Sequence, residues 1–179
     1  WGVMVPRYFD TTRVNIVNKA RGGRSTRTFD FEGLWDKTKN EIQPDDFVIL
    51  QFGHNDAGKI DSEKFRGSIN GIGDETQMVN RADSLTETVH TYGWYLKKFI
   101  RETKEKGATP IVMSLTPRNE WPNGKVEQRN DTYIKWAQEV AEVEKVDYIN
   151  LSKKVAQKYE VLGQEKVKGF FPKDHTHTG

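Results

Sequence analysis

Asp174-His175-Thr176-His177-Thr178-Gly179 ends the sequence, with a carboxylate three positions ahead of the His177 imidazole. At that spacing the carboxylate can hold one ring nitrogen and leave the other free to move a proton. A short polar segment of this kind contributes little to a core. Its residue types therefore point to acid–base chemistry more than to packing.

Two further clusters, Gly22-Gly23-Arg24-Ser25 and Gly53-His54-Asn55-Asp56, carry candidate chemistry. Gly23 is either a turn glycine at positive φ or a bare backbone N–H aimed at a developing oxyanion. Asn55 is either an Asx-turn residue or a side-chain amide donating to the same oxyanion. His54 packs, faces solvent or meets substrate, and Asp56 ties its own loop by accepting backbone N–H groups. Arg24, Arg27, Arg118 and Arg129 are either ordinary surface cations or the lining of a groove for an acidic sugar. Trp121 either covers the core or stacks on a sugar ring. A rival set is His54, Asp56, Asp174, His175 and His177 as oxygen and nitrogen ligands of a metal-dependent hydrolase, since His-x-His places two imidazoles close together. A third reading is a carbohydrate-binding module without catalysis, in which His177 has no function.

The elements that must position these residues alternate between strand and helix patterns. Val14–Val17 reads as a strand ending before Gly22-Gly23. Phe47–Phe52 is a nearly unbroken apolar run closed by Gly53, the pattern of a strand buried on both faces. Ile111–Leu115 repeats that pattern, and Tyr148–Leu151 is a shorter fourth strand. Leu85, Val89, Tyr92, Leu96 and Phe99 form one apolar stripe of a helix ending near Gly107. Tyr133, Trp136, Ala137, Val140 and Ala141 form another. Ser152 is placed to cap a helix carrying Val155, Ala156 and Tyr159. Leu34–Ile42 and the residues through Phe9 are the remaining helix candidates. The alternation predicts an α/β layered fold with a parallel sheet, in which ligands bind beyond the carboxyl ends of the strands. Residues 57–81 show no period and read as a long loop, either functional or disordered.

The composition bounds the function. A length of 179 residues suits one domain, and a net charge of +2 gives no basic field for nucleic acid. With no cysteine there is no disulfide, thiolate metal site or cysteine nucleophile. No stretch approaches a membrane span, and the first residues do not form a signal peptide. Neither a nucleic-acid nor a membrane partner is therefore expected.

With these residues in place, the chain resembles the SGNH (GDSL-type) hydrolases. Gly53-His54-Asn55-Asp56 matches that family's Gly-x-Asn-Asp block, Gly23 its glycine block, and Asp174 with His177 its Asp-x-x-His block. Gly-Arg-Ser, Phe-Gly-His-Asn-Asp and Asp-His-Thr-His-Thr, in this order, are similar to the rhamnogalacturonan acetylesterase branch. The resemblance covers essentially all of residues 1–179. It implies a three-layer α/β/α sandwich (flavodoxin-like) with a five-stranded parallel sheet. It also implies hydrolysis of acetyl esters on a pectic polysaccharide through an acyl-serine, without metal or organic cofactor. His177 is then the general base, Asp174 its orienter, and Gly23 and Asn55 the oxyanion donors. Arg24, His54 and Trp121 are candidate substrate contacts. An extracellular or periplasmic location is expected from the same resemblance.

The family's Gly-Asp-Ser block, which carries the nucleophile, does not occur in the 179 residues. Ser25 and Ser152 read as helix caps and Ser114 lies in a buried strand, so none of them replaces it. The expectation is a single domain truncated at both ends, without its first strand and without a final helix. That strand belongs between Val14–Val17 and Phe47–Phe52. The isolated polypeptide is therefore expected to be unstable, aggregation-prone or inactive.

Overall fold

The computed structural model describes residues 2–81 and 85–179. Its strands are β1 (Phe47–Leu50), β2 (Thr76–Asn80), β3 (Thr86–His90), β4 (Thr109–Met113) and β5 (Asp147–Ile149). β1, β4 and β5 form a parallel sheet in the order β1-β4-β5, while β2 and β3 form a separate antiparallel pair. The register aligns Phe47 with Thr109 and Ile111 with Asp147. Helices α1 (Thr26–Phe31), α2 (Leu34–Glu41), α3 (Tyr92–Glu105), α4 (Tyr133–Glu144), α5 (Leu151–Leu162) and α6 (Gln164–Lys168) accompany the sheet, giving the α/β sandwich architecture that the alternation predicts. No described helix is long and apolar enough to cross a membrane.

The core forms where helix stripes meet one face of the sheet. Side chains alternate along a strand, so Val48 and Leu50 of β1 face the same way as Val112 of β4. Against them lie Phe29 of α1, Trp35 of α2, Leu96, Phe99 and Ile100 of α3, and Ala137 and Val140 of α4. Each fully buried Leu, Ile or Phe contributes about 2 kcal/mol of transfer free energy. The α3 stripe continues to Thr103. Its first turn is closed by Thr91, whose hydroxyl accepts the Trp94 N–H at 3.0 Å.

Several sequence expectations are corrected here. Residues 14–17 form no strand, and Val14 and Val17 are exposed. The parallel sheet accordingly has three strands among the described residues, not five. Among the described residues β1 pairs only with β4, and Phe47 and Ile49, on its other face, are 71% and 41% exposed. The apolar run thus reports a face buried on one side only. Leu85 and Val89 do not extend α3, because residues 86–90 pair with 76–80. That pairing also gives structure to part of the stretch expected to be loop. Ser152 lies inside α5, and Asn150 is the cap, accepting the Lys153 N–H at 2.9 Å. The opening residues form only a 3₁₀ turn, Val5–Tyr8.

Candidate active site

The terminal segment is folded by its own aspartate. One carboxylate oxygen of Asp174 accepts the backbone N–H groups of Thr176 and His177, each at 2.7 Å. The other lies 2.7 Å from His177 Nδ1. A carboxylate so engaged only accepts, so Nδ1 carries the hydrogen and Nε2 is left as a free acceptor. The His177 ring and these N–H groups hold the Asp174 carboxyl well below the usual carboxylate range. The segment is fastened to the body by the Asn119 N–H, which donates to the His175 carbonyl at 2.8 Å, and by the buried Phe171. His175 itself turns to Glu120, with Nε2 3.3 Å from Oε1.

The other two clusters meet at the entrance to α1. Asn55 Nδ2 donates to the Arg24 carbonyl at 3.3 Å, and its Oδ1 accepts from Arg66 Nη1 at 3.4 Å. A guanidinium only donates and a carbonyl only accepts, so the pair fixes which way the amide faces. One of the two Nδ2 hydrogens remains for a ligand. Gly23 has φ +75°, and a Cβ there would lie 2.8 Å from Arg66 Nη2. Glycine is therefore favoured by the left-handed backbone, and a Cβ there would also push the Arg66 guanidinium aside. Ser25 caps α1, accepting the Thr28 N–H at 3.1 Å, and the Thr28 hydroxyl accepts the Ser25 N–H at 2.8 Å.

His54 joins the terminal segment to these donors. Burial first, then the charges of Arg118, Arg129 and His177, push its imidazole down to about 4, so it is neutral near pH 7. Its Nε2 lies 3.5 Å from the Thr116 hydroxyl, in the same post-β4 loop whose Asn119 holds His175. All of these groups sit around loops that follow β1 and β4, at the carboxyl ends of the strands.

Asp56 underpins the site. It is fully buried, and its Oδ1 accepts from the Thr26 N–H at 3.0 Å, the Thr26 hydroxyl and the Ser68 hydroxyl at 3.2 Å. Burial pushes its carboxyl up to about 6, against the opposing hydrogen bonds from Thr26, Ser68 and Gly53. A folded-state pKa above the unfolded 3.8 means that the folded state binds the proton more tightly. Stability from this group is full below pH 3.8 and declines as pH rises towards about 6. The decline amounts to roughly 1.4 kcal/mol per pKa unit. In Asp56→Asn, urea denaturation between pH 4 and 7 should lack this decline; parallel pH profiles for the two proteins would refute the assignment.

The remaining candidates are placed as follows. The Arg24 guanidinium pairs with Glu32 at 2.8 Å, so what Arg24 presents to Asn55 is its carbonyl. Trp121 is half-buried and donates to Asn119 Oδ1 at 2.7 Å, beside the terminal segment. Ser114 is buried, and its hydroxyl accepts the Ser152 N–H at 3.0 Å. The rival metal cluster does not assemble: no three His, Asp or Glu side chains converge among the described residues. Asp56 is committed to Thr26 and Ser68, and His175 faces Glu120. Arg66 and Thr116 are contacts that sequence reasoning missed. Both lie in loops, where no periodicity marks a residue, and only the length of the 57–81 stretch hinted at use.

The profile of the GDSL-like Lipase/Acylhydrolase family matches residues 1–177. A rhamnogalacturonan acetylesterase of Emericella nidulans is 34% identical over 178 residues, 99% of this chain and 71% of that protein. A probable rhamnogalacturonan acetylesterase, YesY of Bacillus subtilis, is 30% identical over 99% of this chain and 74% of its own. The crystal structure of YxiM from Bacillus subtilis superposes with a TM-score of 0.77 at 22% identity, covering 99% of this chain. This chain spans 44% of that structure's length, and the likeness extends to the fold. Family profile, relatives and ordered sequence blocks agree: the chain belongs to the GDSL-like lipase/acylhydrolase family, on its rhamnogalacturonan acetylesterase-like branch.

Proposed function

We propose that the chain forms most of a serine esterase that removes acetyl groups from a pectic polysaccharide of the rhamnogalacturonan type. The observation that carries this reading is the Asp174–His177 pair. Its Nδ1–H is held at 2.7 Å, which leaves Nε2 as the proton acceptor. The nucleophilic serine lies outside the 179 residues, just after a strand that pairs with the open edge of β1.

The chemistry follows from the donors and acceptors. The serine hydroxyl gives its proton to His177 Nε2 as its oxygen attacks the acetyl carbon. The carbonyl oxygen becomes an oxyanion and accepts from the Gly23 N–H and the outward Asn55 Nδ2–H. His177 then protonates the departing sugar oxygen, leaving an acetyl-serine. Water, deprotonated by the same nitrogen, releases acetate and restores the serine. Asp174 keeps the correct tautomer throughout.

The test uses the parent protein that carries the serine, with acetylated rhamnogalacturonan as substrate. Acetate should be released, and a serine-directed fluorophosphonate should abolish the release. Release that resists the fluorophosphonate but stops with a chelator would overturn the reading in favour of a metal-dependent hydrolase.

A further inference from the structure

Beside His54 lies a cleft of about 340 Å³ that the acyl-transfer chemistry does not use. An acetyl group has only a few heavy atoms, whereas cavities of this size sit at the lower end of those that hold whole ligands. One wall is aromatic. The half-buried Trp136 packs against the buried Tyr133, with centroids 4.8 Å apart and ring planes at 79°. The Tyr133 hydroxyl donates to Asn70 Oδ1 at 3.3 Å, which turns the amide nitrogen of the exposed Asn70 outward as a donor. Arg129, on the rim, is bound to Glu120 at 3.0 Å and to Glu127 at 3.4 Å. Its charge is thus already balanced, and the cleft offers an apolar platform with neutral donors. His54 forms part of the lining, and its ring lies near enough to His177 to feel that residue's charge.

We propose that this cleft is a sugar subsite holding a neutral pyranose ring of the polysaccharide next to the acetylated residue. Trp136 packs on the ring and the Asn70 amide donates to a ring hydroxyl. The inference rests on the esterase reading for its choice of ligand, but its test does not depend on turnover. Carbohydrate surfaces alternate C–H faces with hydroxyls, and an aromatic wall beside a pre-oriented amide matches both. The balanced Arg129 argues against recognition of a carboxylate, which needs an uncommitted cation in bidentate geometry.

Gly58 gives a way to fill the cleft. It lines the space, its φ is not in the left-handed region, and a Cβ there would meet nothing within 4 Å. The measurement is calorimetric binding of a deacetylated rhamnogalacturonan oligosaccharide to the parent protein, with melting curves as a check on folding. Gly58→Phe and Trp136→Ala should each weaken binding about tenfold, with Trp136→Phe recovering part of it. The selectivity ratio, kcat/KM for the acetylated oligosaccharide over that for a small acetyl ester, should fall by a similar factor. Raising the salt to 0.5 M should change binding by less than about twofold. Unchanged binding in a folded Gly58→Phe protein overturns the subsite, whatever the hydrolysis shows. A steep loss of binding with salt overturns the neutral-ring assignment. Loss of binding in Gly58→Phe by a parent that hydrolyses no acetyl ester would sustain the subsite and remove the esterase reading.

Discussion

His177→Ala in the parent protein is expected to lower kcat for acetyl-ester hydrolysis by roughly 100- to 10,000-fold, with KM little changed. Nδ1 is committed to Asp174 at 2.7 Å, so in the proposed mechanism Nε2 is the nitrogen that takes the serine proton and returns it to the sugar oxygen. Neither function is made by the ground-state complex, so the loss falls on the rate and not on binding. Asp174→Asn should cost less than His177→Ala. The Asp174 side chain is 42% exposed, and water can take over part of the acceptor role that a buried site would leave unfilled. The pH profile adds a separate check. The His177 ring and the Thr176 and His177 N–H groups keep Asp174 ionised well into acid, and burial keeps His54 neutral above about pH 4. Neither Asp174 nor His54 should therefore contribute to an acid limb of activity near neutral pH. Near-normal turnover of His177→Ala would sink the base assignment, and a two-proton acid limb would assign it to a coupled pair instead.

What the sequence made legible divides along physical lines. Periodic burial is written in residue type, so α3 from Tyr92, α4 and the Ile111–Met113 part of β4 are legible from their apolar positions, while the strand begins two residues earlier than its apolar run and stops before Leu115. A contact confined to a few neighbouring residues was legible too. Asp174 with His177 needed only a three-residue spacing, and their contact is local. What failed depends on partners distant in sequence. Val14–Val17 has strand-forming residues but pairs with nothing among the described ones, and β-structure is as much a property of the neighbour as of the segment. Leu85 and Val89 fit a helical stripe, yet a pairing with residues 76–80 outweighs propensity and makes β3. Arg66 reaches Asn55 from eleven residues away, inside a stretch with no period to announce it. A long, flexible cation becomes part of a site through where its loop is tied down, and that tie is made elsewhere.

The tie is the Arg27–Glu87 pair, and cutting it should give a large loss of stability. Arg27 is completely buried, and its Nε and Nη2 each donate to a different Glu87 oxygen at 2.7 Å. Its Nη1 donates to the carbonyls of Ile60 at 2.7 Å and Gly67 at 2.8 Å, which fixes the loop bearing Arg66, Ser68 and Asn70 onto α1. Arg27→Ala removes all four hydrogen bonds and leaves Glu87 buried with Arg81 as its remaining cation, at 3.1 Å. The expected cost is about 3–5 kcal/mol, against the roughly 5–15 kcal/mol that holds a typical domain together. A buried pair replaced on both sides is a different case, because no charge is left without its partner. Arg27→Met combined with Glu87→Met should therefore cost clearly less than the sum of the two single changes in urea denaturation. Arg81 retains a partner there, since its guanidinium also lies 4.1 Å from the Phe31 ring centroid. The pH dependence has a definite sign. Burial pushes the Glu87 carboxyl up, but the Arg27 and Arg81 guanidiniums outweigh it and hold it below the ordinary 4.5. Its stabilisation is present above pH 4.5 and is lost as pH falls through the folded-state value. The stability gap between wild type and Arg27→Ala should then narrow on acidification. Additive single and double costs, or a gap that is flat with pH, would show that Arg27 acts through its volume alone and not through the charge of Glu87.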